Sequence, residues 1–307
     1  MTFNFSKLID KPISNLIKII VDSVHKLSPF KDSSFRRNVK YTIEDYVIGI
    51  IDVLKNYQSW NSYNGKINSD TLRKKYNEWC KLGIFEDAYK SSLEKYLKTT
   101  KITEELKYQS IDSTFVEDIN GSSFASHNSL YKRRKGEASK GIKVSSIVTT
   151  NGIPISVSIN TGKDYDSKIL PKVVNNITID SNTNKYKNHN RYKQYFLADK
   201  GYDSKENNNL LLAKGYIPII AQNKRNIKNK KLIRKFNQKQ KEIYKKRNIV
   251  ENWKDTNRIF SIFNYHSWIK KFPKIKCLYE HKIEYYRGLL LVGISIIINR
   301  RIIKNTS

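Results

Sequence analysis

Tyr108-Gln-Ser-Ile-Asp112-Ser-Thr-Phe-Val116 is where the hydrophobic period of this chain changes from helical spacing to strand-like spacing. The stretch reads as a β-strand, and it carries an acidic residue, Asp112, inside an otherwise apolar run. A charge placed there is costly unless it is paired or holds a cation. Downstream, Lys143 to Thr149 and Ile153 to Ile159 read as strands flanking Asn151-Gly152, a strong hairpin signal. Asp166 to Val174 reads as a short helix, and Tyr195 to Ala198 as a strand running straight into a second acid, Asp199. Ser204 to Lys214 then reads as a helix closed by Gly215, Ile217 to Ala221 as a strand, and residues 242 to 262 as a long helix. The order predicts an α/β sheet in which an antiparallel hairpin leads a partly parallel set of strands.

Upstream of Tyr108 the pattern is helical. Thr42 with Asp45 resembles a helix start, followed by Val47, Ile48, Ile50, Ile51 and Leu54 at helical spacing. A second segment opens near Ser69-Asp70, carries Leu72, Tyr76 and Trp79 on one face, and ends at Gly83. A small all-helical region over 1–105 is therefore expected before an α/β domain over 106–307.

The chain of 307 residues is 38% hydrophobic and 12% aromatic, enough to bury a core. Lys and Arg number 58 against 28 acids, a formal charge of +30. A field this positive repels itself and points to a polyanionic partner, a nucleic acid. Cys80 and Cys277 stand far apart, without the paired spacing of a zinc knuckle or a disulfide framework, which suits a reducing compartment. The N-terminus is a poor signal peptide, and the longest apolar run, Gly288 to Ile298, is short of the roughly 20 residues a membrane span needs. That run is expected to be a buried core helix in a protein with no membrane partner.

Two strand-end acids in so basic a chain suggest a divalent metal site, since Mg2+ takes hard oxygen ligands. Taken singly, each Asp reads more readily as a strand-end cap or a salt-bridge partner. The helix holding Tyr244, Arg247, Glu251 and Arg258 adds to the case. Those four residues fall within about 60° of one another on one helix face, opposite Ile249, Val250, Trp253 and Phe260. An ordinary solvated face remains open on that spacing alone. Between Lys224 and Arg247 lie 12 Lys and Arg and one acid, a charge run that fits contact with a DNA backbone. Lys228, Lys230, Lys231 and Arg234 are its candidate contacts. His127 and the cluster Lys132-Arg133-Arg134-Lys135 fall in what reads as the loop after the first strand, where they too could approach DNA.

Asp112-Ser-Thr, Gly141, Asn151-Gly-Ile-Pro, Gly162-Lys-Asp-Tyr-Asp166-Ser, Ala198-Asp199-Lys-Gly-Tyr202-Asp203 and Tyr244-xx-Arg247-xxx-Glu251 occur in that order. Together, over about residues 108 to 305, they resemble the IS4/IS5-type DDE transposases. The last motif is similar to that family's Tyr-Arg-Glu-Lys signature, with Arg258 where Lys is usual. The resemblance implies an RNase H-like mixed sheet flanked by helices, with Asp112, Asp199 and Glu251 as the catalytic, metal-holding carboxylates. It implies two Mg2+ ions, for which Mn2+ can substitute. Tyr244, Arg247 and Arg258 would contact DNA phosphates. The expected function is cleavage of element ends and their joining to target DNA, by a homodimer on DNA in the cytoplasm or nucleoid, or in the nucleus or a viral factory of a eukaryotic host. A transposase-derived DNA-binding protein without activity, or an RNase H-like nuclease without strand transfer, stands as the alternative. The two aspartates are 87 residues apart, and Glu251 follows Asp199 by 52.

Overall fold

The computed structural model describes residues 10–28, 40–56, 59–132, 138–177, 179, 194–220 and 262–306. The chain forms two compact units. One gathers residues 1–100, 116–125 and 268–307; the other holds 101–115 and 126–267. The expected boundary near 105 therefore separates the two in sequence only in part. The C-terminal segment joins the unit of the N-terminal helices, because its apolar faces find their partners there.

In the second unit the strands are β1 (Tyr108–Asp118, of which 108–115 lie here), β2 (Ser126–Lys132), β3 (Ala138–Val148), β4 (Pro154–Thr161), β5 (Gln194–Ala198) and β6 (Tyr216–Ile220). β3 neighbours β1, β1 pairs in parallel with β5, and β5 in parallel with β6. β4 returns antiparallel along β3, from Ile142 opposite Thr161 to Val148 opposite Pro154. The resulting order, β4-β3-β1-β5-β6, sets an antiparallel hairpin beside a first strand that then takes parallel neighbours. This is the RNase H-like sheet.

The hairpin turns at Asn151-Gly152, where Gly152 has φ 75°, a value that favours glycine. The buried Glu105 ties the turn down, accepting from the Thr149 hydroxyl and the Asn151 side-chain amide. One expectation is corrected here. The segment holding His127 is not a loop but strand β2, paired antiparallel with the start of β3, Ser126 opposite Gly141. Its polar sequence hides it, because an edge strand can expose side chains on both faces.

A helix, Asp166–Asn175, lays Ile169, Leu170, Val173 and Val174 against β3 and β4. It contains Pro171, which has no N–H to give to the carbonyl of Ser167 four residues back. The buried Asn207 supplies the missing donor, its side-chain amide lying 2.8 Å from the Ser167 carbonyl and 2.8 Å from that of Tyr202. Asn207 belongs to the helix Lys205–Ala213, capped by Ser204 and closed before Gly215 at φ 80°. The buried amide thereby fixes the turn that follows β5.

The first unit is built from α1 (Lys11–Leu27), α2 (Ile43–Lys55), α3 (Ser69–Lys81), α4 (Ile84–Lys98) and the C-terminal helix Ile283–Thr306. The capping box at Thr42 forms as expected, Thr42 and Asp45 each accepting from the other's backbone N–H. The apolar run from Leu289 to Ile298 is buried on every side of its helix, packed on α4 and α1. Gly288 permits the close approach: a Cβ there would fall 2.6 Å from the Cys80 sulfur and from the Tyr76 hydroxyl. In the same unit, the two-residue strand Cys277–Leu278 pairs with Glu117–Asp118. No helix among the described residues is long and apolar enough to cross a membrane.

Candidate active site

Register brings the two aspartates together. On the parallel pair β1 and β5, Tyr108 stands opposite Tyr195, Gln109 opposite Phe196 and Ser110 opposite Leu197. The partners differ by 87 in residue number, which is also the separation of Asp112 and Asp199. The same offset sets Asp112, inside β1, level with Asp199, which follows the last residue of β5 with extended backbone (φ −71°, ψ 162°). Neighbouring strands lie about 4.8 Å apart, which brings the two residues close across the pair. The rings of Tyr108 and Tyr195 stack across the same pair at 5.3 Å and fasten that register from its other end.

Both acids line one small cavity walled by Ile111, Leu197, Ala198 and Ile262. Asp112 is half-buried and Asp199 exposed, so the pair opens to solvent on one side and rests on apolar residues on the other. Like charges held abreast repel, and a hard cation shared between them reverses the sign of that interaction. Oxygen donors on a firm backbone, open to solvent and to a substrate phosphate, fit Mg2+ or Mn2+. Among the described residues no group of three or more His, Cys, Asp or Glu gathers as a metal site. Glu251 lies outside the described residues, as do Tyr244, Arg247, Arg258, Lys228, Lys230, Lys231 and Arg234.

Behind the acids runs a chain of hydroxyls that the sequence did not announce. Ser113 Oγ meets the Tyr202 hydroxyl at 2.9 Å and Ser145 Oγ at 2.7 Å, and Asn160 donates to Ser145 Oγ at 3.3 Å. Tyr202 is buried, and desolvation drives its phenol well above the usual range, the charges of Asp166, Asp112 and Asp199 adding to the rise. The phenol therefore stays neutral and serves as a fixed hydrogen-bonding post. Lys143, buried in β3, donates to Asp166 Oδ1 at 3.0 Å and to the Asp164 carbonyl at 2.9 Å. Asp166 in turn packs where Gly201 leaves room: a Cβ on Gly201 would come 3.1 Å from its Oδ2. The signal for Lys143 was a charge inside the apolar run Ile142 to Val148, which has no local use there.

The loop Gly162 to Asp166 is held as tightly. A Cβ at Gly162 would fall 2.7 Å from the carbonyl oxygens of both Gly141 and Ser126, so only glycine fits. Asn128 donates to the Gly162 carbonyl at 2.5 Å. His127, by contrast, takes no part in the acid pair; its Nδ1 lies 3.1 Å from the Ala138 carbonyl across the β2–β3 ladder.

The family model described as a transposase DDE domain matches residues 108–268, just over half of the chain. The chain belongs to the DDE transposase domain family. The matched segment of this DDE-domain protein opens at the first residue of β1 and takes in both aspartates and Glu251. Among solved structures, the crystal structure of the catalytic domain of Mos1 mariner transposase aligns over 78% of this chain and 96% of that one, at 10% identity and a TM-score of 0.28. So loose a superposition adds nothing to the strand order described above. No curated protein matches the chain.

Proposed function

We propose that this DDE-domain protein is an active transposase, which cuts the ends of a DNA element and joins them to target DNA by phosphoryl transfer at Asp112, Asp199 and Glu251. The observation that carries the reading is that the 87-residue offset of the parallel pair sets Asp112, inside β1, level with Asp199, just past β5, where both line one cavity. Divalent ions bound there would supply an activated water or 3′-hydroxyl and neutralise the leaving oxygen. Asp112 and Asp199 would hold such ions, with Glu251 as the third carboxylate. Tyr202, bonded to Ser113, ties the turn after β5 to β1, and Lys143 steadies the loop after β4 through Asp166, so the acids would meet the scissile phosphate already oriented. Tyr244, Arg247 and Arg258 would hold phosphates near the cut end, the arginines in bidentate fashion. Lys228, Lys230, Lys231 and Arg234 would add backbone contacts further along the duplex, and two copies would act together on the paired ends.

The test is incubation of a duplex carrying the element's own ends with Mg2+ or with EDTA. Wild type should nick and then join only with Mg2+. Asp199→Asn should lose several kcal/mol of transition-state stabilisation, roughly a thousandfold or more in rate, while its DNA affinity in EDTA stays within about twofold. Cleavage that survives the substitution would sink the assignment of Asp199.

A further inference from the structure

The helical unit contains a groove of about 450 Å3 whose floor is Trp268, Phe272 and Ile297. Five cations, Lys55, Lys271, Arg300, Arg301 and Lys304, line it. On the C-terminal helix, Ile297, Arg300, Arg301 and Lys304 recur at i, i+3, i+4 and i+7, one face of one helix. That face is buried and apolar up to Ile297 and turns cationic from Arg300. Lys55 is the last residue of α2, and Lys271 lies two residues past the helix that ends at Ile269. The Arg301 guanidinium rests over the Trp268 ring at 5.2 Å, which holds its fork in place.

Cations at helix C-termini have an ordinary explanation, since each end carries about half a negative charge. Three such ends meet here, which offsets about one and a half charges by that measure. Asp10, 4.0 Å from Arg300, offsets one more. Asp52 acts on Lys55 as well, which leaves Lys271 and Lys304 as the excess charge of the lining, with Arg301 seated on Trp268. Among the described residues Lys55, Lys271 and Lys304 form no ion pair. A groove that keeps that excess over an apolar floor is suited to a ligand that is both anionic and partly apolar.

We propose that this groove is a second DNA-binding site, taking the sugar–phosphate backbone of a duplex. The proposal rests on the reading of the chain as a DNA-processing enzyme, which supplies the polyanion. Arg300 and Arg301 grip phosphate oxygens, the three lysines act as point charges along the strand, and a deoxyribose lies over Trp268 and Phe272. Contacts of this kind carry no base sequence, so the site tightens binding to every duplex alike.

The experiment is a salt titration of wild type and of the triple variant Lys271→Gln, Arg300→Gln, Lys304→Gln on a duplex of unrelated sequence, in EDTA. The slope of log affinity against log salt should flatten by about two to three units, near 0.9 for each lost contact. A slope unchanged within about half a unit overturns the site. A second measurement needs no variant: acetylation of wild-type lysines read by mass spectrometry. Saturating duplex should slow modification of Lys271 and Lys304 at least about fivefold relative to the exposed Lys101. Equal rates with and without DNA overturn the proposal even if the variant folds poorly. Cleavage of element ends by the same preparation is scored separately. A protein that cleaves without these shifts leaves the transposase reading intact and removes the groove, whereas one that shows the shifts and never cleaves does the reverse.

Discussion

The interior of the sheet unit beside β1 is wired with polar groups: Tyr202, Ser113, Ser145 and Asn160 linked in sequence, with Lys143 on Asp166 nearby. In the helical unit the C-terminal helix is sealed from Leu289 to Ile298, with buried Leu, Val and Ile on every face. Polar contacts there form short links around that apolar core, such as Trp60 donating to Glu280 at 2.7 Å and Asn299 donating to Ser92 at 3.1 Å. Apolar packing is strong but tolerant of direction, whereas a hydrogen bond fixes one geometry. The sheet unit uses the second kind of force beside Asp112 and Asp199. The helical unit uses the first, where only cohesion is required.

Three substitutions can break that contrast. The largest effect is expected from Leu289→Ala, which empties space at a fully buried position and should cost about 2–5 kcal/mol in urea unfolding. Cleavage by the folded fraction should stay near wild type; a loss of rate beyond the loss of folded protein would show that the helical core also tunes the site. Next comes Asn207→Ala. It strands the Ser167 and Tyr202 carbonyls in a buried setting, at about 2–3 kcal/mol, and should lower cleavage as well because the turn after Asp199 loosens. Stability unchanged within about 0.5 kcal/mol would mean that those carbonyls find other donors. The smallest effect belongs to Tyr202→Phe, about 1 kcal/mol from one hydroxyl contact. Its pH dependence is diagnostic. The phenol is raised in the folded state from an ordinary value of 10.0, so its stabilising share is complete below pH 10 and falls away above it, as the unfolded chain ionises first. The gap between wild type and variant should therefore hold steady up to that pH and narrow beyond it.

Local signals were legible where local chemistry decides. Asn151-Gly152 gave the hairpin, Thr42 with Asp45 the start of α2, Gly83 and Gly215 the ends of their helices. Asp112 and Asp199 stood out because a charge inside a strand or at its end calls for a reason. What stayed hidden depends on pairing across distance. Strand β2 has no apolar alternation to mark it, and only its ladder with β3 reveals it. Asn160 and Lys143 are opposite one another solely through the β3–β4 register, 17 positions apart in the chain. The C-terminal helix reads as a buried core helix, as expected, but no local pattern says that its neighbours are α1 and α4. The groove at its end was missed for the same reason, since its cations come from three separate segments.

Pro171 and Asn207 also constrain the order in which this sequence can change. While Pro171 is present, the Ser167 carbonyl has no helical donor, and Asn207 cannot be exchanged without leaving that oxygen bare. Once position 171 regains an N–H, the helix serves its own carbonyl, and the amide at 207 keeps only the Tyr202 carbonyl as its task. A lineage can therefore drift away from the pair through position 171 first, and a step at 207 taken ahead of it meets a barrier. Two residues 36 apart in the chain are joined in their history by a single oxygen atom.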